Sequence, residues 1–278
     1  MLAQRTQPRS RTRPLLAAGA LLCLLALAVA VASPGTADSA PFRVVVLGGG
    51  VDNVKPDCPS NDQKQCQTVG RVSGFQSLAG DFVKPFQVPF EGKIISWSIS
   101  LGKPFARASG DHGNEVAFFN EFFGTPSQAR VSVLRKVERA KPPQYRLIRH
   151  SPIQVLNPYF GQKVEFALDH PLGAARGDQI ALTIPTWAPA FFHSAACELG
   201  PDGFERNPDQ CARFSAQNAW RASRRDGRCV FNASGDALRA QIDKSHPQQK
   251  IQSEKEYGCY YRSARLLYSA TLVKKPQG

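Results

Sequence analysis

Cysteine is the residue type whose number and spacing suggest the most definite chemistry in this chain. Six of the seven cysteines lie beyond residue 57 and form an even set, as three disulfides require. They are Cys58, Cys66, Cys197, Cys211, Cys229 and Cys259. Pairing each with its neighbour would close loops of about 9, 15 and 31 residues, but the sequence does not choose among the connectivities available. Disulfides persist in oxidising surroundings, so we expect a secreted or surface-held protein.

A second chemical pattern is a group of basic residues beside aromatic ones. Guanidinium groups can bind anions, and exposed aromatic rings can stack on sugars or bases. The residues that we predict to bind a ligand on this basis are Trp187, Phe191, Trp220, Arg221, Arg224, Arg225 and Arg228. The alternative is structural: the arginines would form a solvated surface, and the aromatic rings would belong to the core or anchor a loop.

Oxygen-bearing side chains are concentrated between Gly110 and Gly124. They are Asp111, Asn114, Glu115, Asn120 and Glu121. Such ligands suit Ca²⁺, and two of the carboxylates could serve a glycosidase. Their spacing matches no calcium loop that we can name, so the sequence predicts no cofactor. A structural Ca²⁺ and a glycan-active hydrolase using acidic residues of 111–121 stay as alternatives.

Other arrangements that could support catalysis are incomplete. The run from Val44 to Gly50 resembles the start of a dinucleotide fold, but Asn53 stands where the third glycine is needed. His193 is close to Cys197 in sequence, yet an exported even set of cysteines is expected to be bridged. The chain has no Gly-x-Ser-x-Gly elbow and no Cys-x-x-Cys pair. We therefore predict no catalytic, cofactor-binding or metal-binding residues and a protein that is not an enzyme.

The N-terminal segment has the organisation of an export leader. Four arginines precede the uncharged apolar run from Leu15 to Ala32, which ends in a small-residue cleavage motif. We predict a signal peptide over residues 1–32. The same run is about as long as a minimal membrane span, so an uncleaved anchor is the alternative and would be the only membrane contact.

The overall charge favours anionic partners. The chain has 35 Lys and Arg against 22 Asp and Glu, and loss of the four leader arginines would leave a net charge of +9. Such an excess attracts envelope polymers, lipid head groups or nucleic acid without selecting one of them. An envelope glycan or another anionic polymer is the partner that we expect, and no specific nucleic acid is implied.

The elements that must position these residues are strands. Apolar side chains alternate with polar ones from Lys93 to Leu101, which places Ile95, Trp97, Ile99 and Leu101 on one face. The segment from Gln179 to Ile184 repeats this pattern, as do the segments around Phe166 and Tyr268. Long amphipathic helices are absent from the sequence pattern, so we predict an all-β antiparallel sandwich of the jelly-roll type.

The predicted domain boundaries follow from these patterns. Residues 33–80 form an N-terminal extension with a small disulfide loop, and residues 81–278 form the β-sandwich domain. A cysteine-rich excursion at 193–261 interrupts the alternation between two strands. Loops of that length are commonly functional or disordered. Disulfides formed by the four cysteines of this segment would restrain it, so we expect an ordered loop.

Three short motifs resemble those of exported β-sandwich proteins from high-GC, actinobacterial species. They are Gly92-Lys-Ile-Ile-Ser-Trp97, Arg130-Val-Ser-Val-Leu-Arg135 and Gly177-Asp-Gln-Ile-Ala-Leu182. Their order along residues 75–190 carries the resemblance, which implies a sandwich fold and an extracellular location. It implies no activity. We therefore expect an exported, non-enzymatic β-sandwich that binds an anionic or carbohydrate component of the envelope, with a purely structural surface protein as a further alternative.

Overall fold

The computed structural model describes residues 43–58, 66–108, 113–197, 205–226, 229 and 235–274. The predicted signal peptide over 1–32 lies outside these ranges, as do Asp111 and Arg228. The described residues form one compact unit.

The smaller of two main sheets has four antiparallel strands. Their order in the sheet is β1-β15-β4-β8. The strands are β1 (Val44–Leu47), β4 (Gly92–Ser100), β8 (Lys163–Ala174) and β15 (Tyr268–Lys274).

The larger sheet has nine strands, also paired antiparallel. Seven follow the order β12-β6-β5-β9-β2-β11-β13, while β3 pairs with β2 and β7 pairs with β5. The strands are β2 (Val69–Ala79), β3 (Phe82–Val83), β5 (Gln128–Lys136), β6 (Gln144–His150), β7 (Gln154–Val155), β9 (Gln179–Ala188), β11 (Asn218–Ala222), β12 (Glu254–Glu256) and β13 (Cys259–Arg262).

A two-stranded ribbon and short helices complete the described fold. The ribbon pairs β10 (Phe191–His193) with β14 (Ala264–Leu266). The α-helices are α1 (Glu115–Phe123), α2 (Pro208–Gln217) and α3 (Gly235–Asp243), and two 3-10 turns span Asn157–Tyr159 and Ala195–Cys197. Helices α1 and α2 were not predicted from the sequence pattern.

The two main sheets share one apolar core, which confirms the predicted antiparallel β-sandwich. Trp97 and Ile99 of β4 lie in the same buried cluster as Ile180, Leu182 and Ile184 of β9. These five side chains are completely buried. Alternate residues of the large sheet face away from this core, since Ala181 belongs to a second cluster with Phe75, Leu134, Tyr145, Leu147 and Tyr257.

One predicted face assignment was wrong. Ile95 was expected in the core beside Trp97, but it is 37% exposed, and Ile94 is fully buried instead. The register between β4 and β8 shifts between Ile94 and Ser96. Such a bulge adds one residue to a strand, so the alternation before it is out of phase with the alternation after it.

The structure also corrects the predicted domain boundaries. Val69–Ala79, assigned to an N-terminal extension, is β2, which lies inside the large sheet between β9 and β11. The predicted excursion at 193–261 contributes β11, β12 and most of β13 to the same sheet. Strand β11 pairs with β2 through contacts far apart in sequence, which local alternation does not reveal. The segment is therefore partly built into the sandwich.

Three disulfides join the cysteines in the local pairing. The pairs are Cys58–Cys66, Cys197–Cys211 and Cys229–Cys259. All six predicted cysteines are thus bridged, which is the chemistry of an oxidising environment. In the part of the chain that the structure covers, no helix is both long and apolar enough to cross a membrane.

Candidate functional site

Trp187 is a core residue and does not form the predicted sugar-stacking surface. Its side chain is completely buried at the end of β9. The indole Nε1 donates a hydrogen bond of 3.0 Å to Asn120 Oδ1, and the ring packs against Phe119 at 5.0 Å between centroids. A ring without exposed surface cannot stack on a ligand, so this assignment was wrong.

Trp220 is likewise buried, with 3% of its surface exposed. Its ring stacks on Tyr261 at 4.6 Å and meets the edge of half-buried Phe191 at 6.4 Å. On the neighbouring strand β2, a Cβ at Gly74 would lie 2.8 Å from the indole, so glycine makes room for it. Trp187 and Trp220 therefore follow the structural alternative, and the prediction that they bind sugars is corrected, whereas for half-buried Phe191 ligand binding stays a prediction.

The predicted arginines do not act as one exposed cluster. Arg221 lies on the large sheet, where Nη1 donates to the Tyr257 carbonyl at 3.3 Å and the guanidinium covers the Tyr260 ring at 4.7 Å. Arg228 lies outside the described residues. Arg224 and Arg225 line a cavity at the end of β11.

That cavity, named here the basic pocket, has a volume of about 660 Å³. It lies between the end of β11, the Cys229–Cys259 disulfide, helix α3 and strand β12. Its lining residues are Ser223, Arg224, Arg225, Cys229, Ala240, Gln241, Lys244, Ser245 and Lys255. Among the residues that the structure describes, the lining has four cationic side chains and no carboxylate, which gives the pocket a positive potential suited to an anion.

Arg224 forms the fixed wall of the basic pocket. It is 9% exposed, and its guanidinium donates hydrogen bonds to Ser245 Oγ at 3.0 Å, Tyr261 Oη at 3.0 Å and the Gly70 carbonyl at 3.1 Å. All three acceptors are uncharged. Because these bonds orient the guanidinium without neutralising it, its charge contributes to the field inside the pocket.

Arg225, Lys244 and Lys255 provide the cations that a ligand can reach. The Arg225 and Lys244 side chains are exposed, whereas Lys255 is half-buried and donates a hydrogen bond from Nζ to the His246 carbonyl. Burial and the nearby charges of Arg224 and Arg225 lower the pKa of Lys255 to about 8. The Lys255 amine therefore gains and loses its proton close to neutral pH.

Backbone contacts join the basic pocket to the sheet. The Arg224 carbonyl accepts hydrogen bonds from the backbone nitrogens of Gly258 at 2.9 Å and Cys259 at 3.2 Å. Cys259 Sγ lies 3.3 Å from the Arg225 carbonyl oxygen. These backbone hydrogen bonds hold Arg224 beside β13, and the Cys259 sulfur of the disulfide packs against the Arg225 backbone.

A second cavity, named here the side pocket, adjoins the basic pocket. It has a volume of about 400 Å³ and shares Arg225 and Lys255 with its neighbour. Its remaining lining residues are Gln144, Glu254 and Glu256. Glu254 Oε1 forms an ion pair of 2.5 Å with Arg146, while Glu256 Oε1 accepts a hydrogen bond of 2.7 Å from the Asp226 backbone nitrogen.

The acidic stretch has structural roles wherever it is described. Asn114 caps helix α1, and Glu115 accepts hydrogen bonds from the backbone nitrogens of Cys66 at 3.2 Å and Phe105 at 2.8 Å. Glu121 pairs with Arg239 at 2.7 Å. Glu115 and Glu121 are six positions apart in helix α1, so their side chains point in directions about 120° apart around the helix axis. These two carboxylates therefore do not face one cleft.

Cys58, Cys66 and Glu115 form the one group of three potential metal ligands within the described ranges. Its two sulfurs are joined in a disulfide, which leaves Glu115 as a single ligand.

The sequence pattern did not identify Lys244 and Lys255 as site residues. Lys244 follows α3 and Lys255 lies in β12, both away from the arginine cluster in sequence. Lys255 reaches the pocket because β12 is followed closely by β13, which pairs with β11. The positive charge of these two lysines was the only available signal, and lysine is common on protein surfaces.

No family model matches the chain, and no curated protein or solved structure matches it.

Proposed function

We propose that this protein is an exported binding protein that holds an anionic group of an envelope polymer, a phosphate or a carboxylate, in the basic pocket. The observation that carries the proposal is a cavity of about 660 Å³ lined by Arg224, Arg225, Lys244 and Lys255, with no acidic residue among its described lining residues. Three disulfides support an oxidising, extracellular setting.

The cations of the basic pocket differ in exposure and in hydrogen bonding, and this difference supports binding. Arg224 is pre-ordered by three neutral partners, so its orientation costs little entropy when an anion arrives. Arg225 and Lys244 are exposed and able to form charge-assisted hydrogen bonds with oxyanions. Nucleic acid is a less suitable ligand, because the candidate stacking rings Trp187 and Trp220 are buried.

Neutralising the exposed cations tests this function. The double variant Arg225→Gln/Lys244→Gln should bind soluble polyphosphate or polygalacturonate at least about tenfold more weakly than the unmodified protein, because two direct contacts are lost. The control is Lys93→Gln/Lys274→Gln, which removes the same charge from exposed positions on the four-stranded sheet. Affinities are measured by titration calorimetry at low salt, with neutral dextran as a third ligand.

The control variant distinguishes a site from diffuse attraction. Equal losses in the two double variants would mean that the polymers respond only to net charge, and the proposed site would be rejected. Comparing polyphosphate with polygalacturonate shows which anion the pocket takes. Arg224 is left unchanged, since its removal would also take a hydrogen bond from the Gly70 carbonyl, Ser245 Oγ and Tyr261 Oη.

The pH dependence of binding provides a separate prediction. A bound anion favours the charged form of Lys255, whose pKa is about 8, so affinity should be highest below pH 8 and fall as pH rises from 7 to 9. We expect about a twofold to fivefold loss, the size of a partly exposed ion pair. Titrations with polyphosphate at each pH measure it, because its internal phosphates keep their charge over this range.

Lys255→Arg provides the matched control, since arginine stays charged throughout this interval. Its affinity should change little between pH 7 and pH 9. A decline as steep as that of the unmodified protein would assign the pH dependence to another group.

A further inference from the structure

The side pocket gives the proposed binding site two regions of different charge. The basic pocket presents four cations, while the side pocket adds two carboxylates, Glu254 and Glu256. Arg225 and Lys255 line both cavities and therefore mark the boundary between them. A ligand that fills both cavities contacts cations in the basic pocket and lies beside two carboxylates in the side pocket.

The two carboxylates differ in how far their charge is compensated. Glu254 is paired with Arg146 at 2.5 Å. Glu256 is half-buried and accepts one backbone hydrogen bond, and no ion pair joins it to a cation among the residues that the structure describes. Partly buried carboxylates are stabilised by a nearby cation, so Glu256 is the natural partner for a positive group on the ligand.

Gln241, in the wall of the basic pocket, has a side-chain oxygen that points to a donor on the ligand. Its Oε1 atom is buried, and no described residue donates a hydrogen bond to it. A buried acceptor without a partner costs free energy, which a donor on the ligand would recover. Gln241 does not line the side pocket, so this donor belongs to the part of the ligand in the basic pocket, such as a hydroxyl group beside the anionic group.

We infer that the ligand group is zwitterionic: its anionic part lies in the basic pocket, and an ammonium group a few bonds away lies beside Glu256 in the side pocket. This inference rests on the proposed function, since it concerns the same site. The chemical class is a phosphate or carboxylate ester or chain that carries a primary amine, such as an aminoalkyl phosphate or an amino-substituted polymer repeat.

Two phosphates of equal length test the inference. O-phosphoethanolamine ends in an ammonium group, and n-propyl phosphate has a methyl group in its place, so the pair differs in that one charge. The unmodified protein should bind O-phosphoethanolamine about fivefold more tightly, the upper range for a partly exposed ion pair. Titration calorimetry or NMR shift titration at pH 7 gives both affinities.

Glu256→Gln locates the ammonium group. Glutamine keeps the oxygen that accepts from the Asp226 backbone nitrogen but removes the charge, so the two phosphates should then bind equally. Glu91→Gln is the control, because Glu91 is an exposed acid beside β4 in the other sheet, and it should retain the preference. Glu254→Gln serves as a second variant if Glu256→Gln does not fold, and it should reduce the preference.

The outcomes separate this inference from the proposed function. Equal affinities of the unmodified protein for the two phosphates would overturn the zwitterionic ligand and leave anion binding intact. A preference that survives in Glu256→Gln would overturn the place assigned to the ammonium group. If neither phosphate binds while the polyanions do, the inference fails alone, and if the polyanions also fail to bind, the proposed function fails with it.

Discussion

Replacing Trp97 by alanine should lower the free energy of unfolding by about 3–5 kcal/mol, the range for a large aromatic side chain removed from a core. Trp97 is fully buried in β4, between the two main sheets, and its ring packs on Phe166 at 4.8 Å between centroids. The loss combines the transfer free energy of the ring with the cavity that it leaves. Urea unfolding followed by circular dichroism, with the disulfides intact, measures the change.

Ile95→Ala is the matched control for Trp97→Ala, because the two residues lie in the same strand. The register shift turns Ile95 outward, where it is 37% exposed. Its replacement should cost less than about 1 kcal/mol, within the range of surface substitutions. A large cost at Ile95 together with a small cost at Trp97 would show that the strand faces the core in the opposite phase.

Removal of the Cys229–Cys259 disulfide should reduce both stability and anion binding. The double variant Cys229→Ala/Cys259→Ala opens a loop of 31 residues, which the chain-entropy model values at about 3.5 kcal/mol of stability. Cys229 lines the basic pocket, and Cys259 Sγ lies 3.3 Å from the Arg225 carbonyl oxygen. Without the bridge the two arginines lose a constraint, so polyphosphate should bind several-fold more weakly.

The Cys58–Cys66 pair provides the comparison. Its removal opens a loop of nine residues and should cost about 2.5 kcal/mol on the same model. Cys58 and Cys66 belong to the cluster around Trp187 and Phe119 and do not line the basic pocket, so polyphosphate affinity should be unchanged. A similar loss of affinity in both double variants would mean that binding follows overall stability and that the pocket disulfide has no specific role.

The strands of the sandwich were predictable wherever the alternation of side chains is regular. Ile180, Leu182 and Ile184 were placed inward from their spacing alone, and all three are fully buried. Prediction failed at Ile95, because a bulge depends on the neighbouring strand and leaves no local pattern. It failed again at β2, since the burial of a central strand comes from partners distant in sequence.

The candidate site was predictable only in part. Arg224 and Arg225 were selected because basic residues cluster there in sequence, and both line the basic pocket. Trp187 and Trp220 were predicted together with these arginines, but the sequence does not show whether an aromatic side chain is buried or exposed. Lys244 and Lys255 were missed because each looks like an ordinary surface lysine.

The sequence by itself determined the features that depend on composition and on short-range spacing. An even set of cysteines required bridges, and alternating side chains required antiparallel strands with one buried face. Tertiary structure alone decided which charges meet. Strand β12 is an edge of the large sheet, and its Lys255 lines one cavity with Arg224, which follows β11. Two residues, Tyr257 and Gly258, connect β12 to β13, and β13 pairs with β11, so this connection brings Lys255 close to Arg224. Local spacing does not encode that pairing.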